Sequence, residues 1–203
     1  MKKIYLLFSL TLASICALAQ SKTEFRPFKV DMSLGYAIPG GTGAKGGILA
    51  ALEPKYAVMS NLSIGIRFEA AVVGRFAGYD AEGNLNDVSI SASGSYLATA
   101  DYYFNNNYRV RPFAGGGAGI FAVAREDVSS GSGDVSAGAK FGGMIRAGAE
   151  LSHFRFGVEY NIVPRTVYTG YDSQGNLTSG LTASNSYIGI KVGVCFGGGP
   201  LKK

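Results

Sequence analysis

Tyr187-Ile188-Gly189-Ile190-Lys191-Val192-Gly193-Val194-Cys195-Phe196 alternates without a break. Ile188, Ile190, Val192, Val194 and Phe196 fall on one face, and Tyr187, Gly189, Lys191, Gly193 and Cys195 on the other. Successive side chains of a strand point to opposite sides of a sheet, so period two predicts a strand with two unlike environments. The stretch before it repeats the pattern. Phe154, Phe156, Val158, Tyr160 and Ile162 oppose Arg155, Glu159 and Asn161.

Working outward, the same alternation recurs between clusters of Gly, Asn, Asp and Ser. It predicts strands over 28–38, 48–59, 62–76, 88–104, 111–124, 137–151, 154–163 and 186–196. Gly115, Gly116, Gly117 and Gly119 blur the faces of the fifth. Pro54 removes a ladder donor inside the second, which predicts a bulge there. The connections alternate long and short. Long ones follow the first, third, fifth and seventh strands, and tight or Asn-rich turns such as Ser60-Asn61 and Ser152-His153 follow the others.

Charge keeps to one face. Lys29 and Asp31, Glu53 and Lys55, Arg67, Glu69 and Arg75, and Arg146 and Glu150 each share the side opposite the apolar residues of their strand, as do Asp101, Glu159 and Lys191 in theirs. A Lys or Arg facing lipid costs about 2–4 kcal/mol near the bilayer midplane. Lipid also offers no hydrogen bonds, so a spanning sheet must close on itself. Phe28, Tyr56, Tyr102, Phe104, Phe154 and Phe196 fall at strand ends near the short turns, where an aromatic girdle belongs. The expected fold class is therefore all-β: an eight-stranded antiparallel up-and-down transmembrane β-barrel with long loops on the outside. A soluble barrel is the alternative, with its apolar face inward and its charges outward.

The first residues carry a separate message. Lys2 and Lys3 precede an apolar run from Ile4 to Leu18, and Ala17-Leu18-Ala19 matches a small-residue cleavage site. This predicts a secretory signal peptide over 1–19 and a barrel domain over 20–203. Without Lys2 and Lys3 the net charge falls from +5 to +3, too weak and too scattered for nucleic acid. Of the two cysteines only Cys195 survives cleavage, so no intramolecular disulfide is expected.

The last strand, ending in Phe196, resembles the C-terminal β-signal of outer-membrane proteins. Arg111-Pro112-Phe113-Ala114-Gly115-Gly116-Gly117-Ala118-Gly119 looks like the fifth-strand motif of small porin-like, OmpA/OmpX-type barrels, and Leu52-Glu53-Pro54-Lys55-Tyr56 looks like their second strand. The resemblance covers about residues 25–196 and implies an outer-membrane location.

Two constellations are candidates for function. The first is the inward charge, with Arg67, Glu69, Glu150, Glu159 and Lys191 as mid-strand residues of a possible gate. Eight strands leave an interior just wide enough for side chains to fill. Paired charges then make either a plug or a gate for small ions. The second is a repeated loop motif: Tyr79, Asp80, Gly83 and Asn84 in one loop match Tyr171, Asp172, Gly175 and Asn176 in another. Asp opens a turn and Gly supplies a positive φ, so both read as extracellular hairpin tips, carrying strands three to four and seven to eight beyond the membrane.

Catalysis has little to work with, since the single histidine, His153, falls in a short turn. No metal ligand set and no cofactor motif stands out. The reading is a monomeric, non-enzymatic barrel. Its expected partners are outer-membrane lipid and another surface or host protein bound through the loops, with a narrow low-conductance pore as the alternative.

Overall fold

A computed structural model describes residues 26–40, 44–76, 88–105, 109–126, 135–171 and 177–198. The expected leader, 1–19, lies outside these residues. So do the tip residues Tyr79, Asp80, Gly83, Asn84, Asp172, Gly175 and Asn176.

The described chain is built from strands: β1 (Phe28–Pro39), β2 (Ala44–Met59), β3 (Leu62–Phe76), β4 (Val88–Tyr103), β5 (Arg111–Glu126), β6 (Val135–Leu151), β7 (Phe154–Ile162), β8 (Thr166–Tyr171), β9 (Leu177–Ala183) and β10 (Tyr187–Gly197). Eight of them close a barrel in the order β1-β10-β7-β6-β5-β4-β3-β2. Every pairing is antiparallel. The closing seam runs from Lys29 opposite Gly197 to Pro39 opposite Tyr187. The barrel strands are 9 to 17 residues long, and a tilted strand needs about 9–11 to cross a bilayer.

The wall is inverted relative to a soluble protein. Leu34, Ile48, Phe141 and Phe196 stand exposed on the outside. Asp31, Glu53, Lys55, Arg67, Asp101, Arg146 and Glu159 are buried inside. That distribution excludes the soluble-barrel alternative, because it would put the hydrophobic surface in water and the charges out of it. The fold is the expected transmembrane β-barrel. Phe28, Tyr56, Tyr102, Phe104, Phe154 and Phe196 are all exposed around the short-turn rim.

Four local expectations need correction. The glycine loop after β1 is shorter than its composition suggests, because β2 already begins at Ala44. It reaches Ile48 through a register shift between Lys45 and Ile48. No bulge forms at Pro54. Leu52 opposite Phe68 and Lys55 opposite Gly65 keep one register across it, so the proline removes ladder bonds to β3 without displacing the strand. The blurred faces of β5 resolve by size. Ala114, Gly116, Ala118, Ile120 and Ala122 form its outer face, and Gly115, Gly117 and Gly119 its inner one. A Cβ on Gly115 would collide with the Asp101 carboxylate, and one on Gly119 would sit 2.8 Å from the Leu97 Cα. The inner glycines thus make room for the Asp101 and Thr99 side chains and let the β4 backbone approach closely at Gly119.

The last long connection is the fourth correction. Residues 164–185 contain a hairpin of their own, β8 paired with β9 as a separate two-stranded sheet. Tyr171 pairs with Leu177 across the residues of the expected tip. The break at Pro164 explains the separation, because its ring denies the ladder a donor just where β7 would continue.

Placing a charge on the outer wall tests the inversion. Leu34 is 63% exposed in the middle of β1. Leu34→Arg is expected to destabilise the barrel by about 2–4 kcal/mol in a bilayer, read from urea unfolding in lipid vesicles. A water-facing position would tolerate the change within about 0.5 kcal/mol.

Candidate functional site

The lumen carries the chemistry. Its inward residues sort into three layers along the barrel axis. Nearest the short turns lies a network of eight charged groups, four of each sign. Lys55 bridges Asp31 at 2.5 Å and Asp101 at 2.7 Å. Arg146 grips Glu53 with both terminal nitrogens, at 2.7 and 2.6 Å, and gives its Nε–H to Asp101 at 2.7 Å. Arg155 bonds Asp101 at 2.9 Å, bonds Glu150, and lies 3.6 Å over the Phe113 ring. Lys29 donates to Glu150 at 2.5 Å and to the Tyr103 hydroxyl at 2.7 Å. Tyr103 in turn donates to the same Glu150 oxygen at 2.6 Å. Thr99 donates to Glu53 at 2.5 Å.

A second, smaller network lies further in. Arg67, fully buried, donates to Glu159 at 2.7 Å and to Asn161 at 2.8 Å, and lies 3.3 Å from Glu69. Lys191 meets Glu69 at 3.0 Å and Glu159 at 2.6 Å. Tyr187 donates to Glu69 at 2.6 Å. Among the described residues, the Arg67 Nε–H finds no hydrogen-bond acceptor.

The third layer is apolar and closes the end that carries the long connections. Ala37, Leu49, Ala71, Val73, Leu97, Phe121, Met144 and Val163 pack there with the Tyr187 ring. Between the two charged layers a void of about 20 Å³ remains, lined by Asp31, Glu53, Arg155, Glu159 and Lys191 among others. Another of about 20 Å³ lies by Pro39, Val123 and Asn185. Each has room for about one water.

The five residues singled out from sequence therefore divide. Arg67, Glu69, Glu159 and Lys191 come together in the inner network. Glu150 does not join them, being held by Lys29, Tyr103 and Arg155 in the outer one. Its place near the end of β6 separates it. Arg155 belongs to the outer network, and only its position on the charged face of β7 hinted at that. Tyr103, Tyr187 and Asn161 take part as neutral partners, which charge parity does not detect. The apolar layer was not foreseen. Its signal was present, since Leu49, Leu97, Phe121 and Met144 fall on the face that carries charge elsewhere in their strands.

Among the described residues, one group has metal-ligand character. Asp31, Glu150 and Cys195 bring ligand atoms within 4.8 Å of one another. Lys55 and Lys29 already neutralise the two carboxylates at 2.5 Å each, so ammonium groups fill the cation's role. His153 sits in the turn after β6, with Nδ1 3.2 Å from the Cys195 carbonyl oxygen. Cys195 is a free thiol.

Comparisons with solved structures support the fold. Neisserial surface protein A is 14% identical, with 86% of this chain and 97% of that chain aligned at a TM-score of 0.55. The outer membrane protein OprG from Pseudomonas aeruginosa is 11% identical over 84% of this chain and 96% of that one, at 0.47. The N-terminal barrel domain of Pseudomonas aeruginosa OprF is 13% identical over 85% and 99%, at 0.44. The first superposes well enough to carry an argument, and at that identity what it carries is the fold. No protein-family model matches the chain. No curated protein matches it in sequence. The chain has the fold of the small eight-stranded outer-membrane barrels.

Removing one charge of the inner network leaves its partners buried and uncompensated. Arg67→Met is expected to cost about 3–5 kcal/mol. Adding Glu159→Gln should recover part of that loss, because it removes the orphaned carboxylate. Urea titration of the single and double variants in lipid vesicles measures the coupling.

Proposed function

We propose that this chain is a non-enzymatic outer-membrane barrel protein, exported by a leader over residues 1–19, whose role is surface interaction through its long connections. The filled lumen carries this reading. A pore needs a continuous water path, and here two neutralised charge layers and an apolar layer stand in series across the barrel. Buried ion pairs of this geometry are held by several partners each, so opening them would cost several kcal/mol per charge. Function then moves to the ends.

The β8–β9 hairpin supports the second half of the reading. Its base is pinned to the rim. The Asn185 side-chain amide donates to the Pro164 carbonyl at 2.6 Å and to the Thr166 hydroxyl at 2.8 Å. Val163 N–H donates to the Ser186 hydroxyl at 3.1 Å, and Lys140 donates to the Arg165 carbonyl at 3.0 Å. Beyond that base, Thr166–Tyr171 and Leu177–Ala183 contain no charged residue. Natural edges are usually blunted by Lys, Pro or a cover. A two-stranded sheet with neither Lys nor Pro on its strands suits strand addition by a partner protein. The motif residues Tyr171, Asp172, Gly175 and Asn176 would form its outer end, as Tyr79, Asp80, Gly83 and Asn84 would for the β3–β4 hairpin.

The protein in planar bilayers should be electrically silent. Leu49→Ala combined with Phe121→Ala, which thins the apolar layer alone, should stay silent as well, because the two charge layers still close the lumen. Discrete wild-type openings would displace this reading in favour of a narrow pore through Arg67, Glu69, Glu159 and Lys191. Replacing residues 167–182 with a Gly/Ser linker should leave the barrel folded and silent while abolishing adhesion of protein-bearing vesicles to cell surfaces. Unchanged adhesion would exclude the hairpin.

A further inference from the structure

The two ends of the barrel differ in charge. The lumen networks contain Lys29, Lys55, Arg67, Arg146, Arg155 and Lys191 against Asp31, Glu53, Glu69, Asp101, Glu150 and Glu159, and so are neutral. Apart from Glu24, the remaining acids of the sequence, Asp80, Glu82, Asp87, Glu126, Asp127, Asp134 and Asp172, all belong to the long connections or their margins. Lys45, Arg75, Arg125, Lys140 and Arg165 offset five of these seven acids, whereas the short-turn end carries Arg26, Arg109 and Arg111 with His153. Among the described residues there, no acid stands outside the neutral network.

A vestibule of about 230 Å³ opens at this end. Arg26, Arg111 and His153 line it, with Ser60, Ser63 and Ser152. Its one acid, Glu150, is already held by Lys29, Tyr103 and Arg155 at the floor. The wall cation is positioned in advance. Arg111 donates to the Ser60 carbonyl at 2.7 Å and to the Asn105 carbonyl at 3.4 Å, and its guanidinium lies 4.1 Å over the Tyr103 ring. The floor is the eight-charge network, so a ligand entering here has no way through. The mouth also lies at the level of the aromatic rim formed by Phe28, Tyr56, Tyr102, Phe104, Phe154 and Phe196, where lipid headgroups sit.

We propose that the short-turn vestibule is a phosphate-binding site built on Arg26 and Arg111. Guanidinium groups match the planar, two-oxygen edge of a phosphate better than any other side chain. Serine hydroxyls supply further donors to the same oxygens. The chemistry is shared by two sources: the phosphodiester of an inner-leaflet phospholipid and a soluble phosphate of the periplasm. This assignment concerns the opposite end of the barrel from the adhesive loops and stands without them.

The test uses the full barrel purified from membranes. Inorganic phosphate is titrated calorimetrically into the protein in a zwitterionic detergent, against chloride at equal ionic strength. In parallel, native mass spectrometry counts lipid retained from nanodiscs of phosphatidylcholine alone and of phosphatidylcholine mixed with phosphatidylglycerol. Each measurement is repeated with Arg26→Gln, Arg111→Gln and the pair. Arg26 is exposed, so its variant keeps the test valid if loss of the Arg111 contacts disturbs folding. Saturable phosphate binding, weakened about tenfold or more by each variant, supports the site and a soluble source, since each substitution removes a charge-assisted bond. Phosphatidylglycerol retained over phosphatidylcholine and lost in the same variants supports it with a lipid source. Absence of both, or binding indifferent to Arg26 and Arg111, overturns it.

Discussion

The pairing of β1 with β10 is the contact on which everything else rests. In hydrocarbon, an unpaired strand edge would leave a row of amide and carbonyl groups without partners at several kcal/mol each. The seam from Lys29–Gly197 to Pro39–Tyr187 removes both edges at once. It also forces the chain to set β8 and β9 aside, since β10 must reach β7 on one side and β1 on the other. The hairpin is thus a by-product of closure: residues beyond what is needed to return to the rim pair with each other above it.

Closure at eight strands fixes the radius, and the radius fixes what the interior holds. Side chains from opposite walls meet, so inward charges find partners across the barrel as well as on neighbouring strands and, for Arg67 and Glu69, on the same strand. Arg146 on β6 reaches Glu53 on β2, and Arg67 on β3 reaches Glu159 on β7. Such pairs are poor sources of net stability, because burying them costs about what they return. They do tie opposite walls into one arrangement. The inner glycines of β5 belong to the same constraint. A side chain at Gly115 would take the space of the Asp101 carboxylate, and one at Gly119 would strike the backbone of β4 at Tyr96 and Leu97.

Most of this was legible because lipid makes the rule severe. A spanning strand has to alternate, so the faces of β1, β7 and β10 are read straight from Phe28–Ile38, Phe154–Val163 and Tyr187–Phe196. Where residue size replaced polarity as the signal, reading failed. Along Ala114–Gly119 of β5 both faces are small, and alternation vanishes there although the strand is regular. The apolar layer escaped for a related reason. Leu97 sits between Ser95 and Thr99, and parity shows that it faces inward without showing that Leu49, Phe121 and Met144 meet it at one height. Height along the axis depends on register between strands, which a single strand does not encode. The same blindness grouped Glu150 with Arg67 although they belong to different layers.

A filled lumen also explains why the two mouths are unlike. With the apolar layer set at the long-connection end, the polar layers are displaced toward the short turns. The outer network is therefore open to the solvent of one mouth only, through the vestibule above Glu150. The groups beyond it need not neutralise anything inside, since the networks already sum to zero. Arg26 and Arg111 thus lie outside the neutral networks, in contrast to Arg146 and Arg155, whose loss would leave Asp101 short of a partner. A cation outside the neutral lumen networks, held in place by Ser60 and the Tyr103 ring at the level of the lipid headgroups, is where recognition is the simpler account.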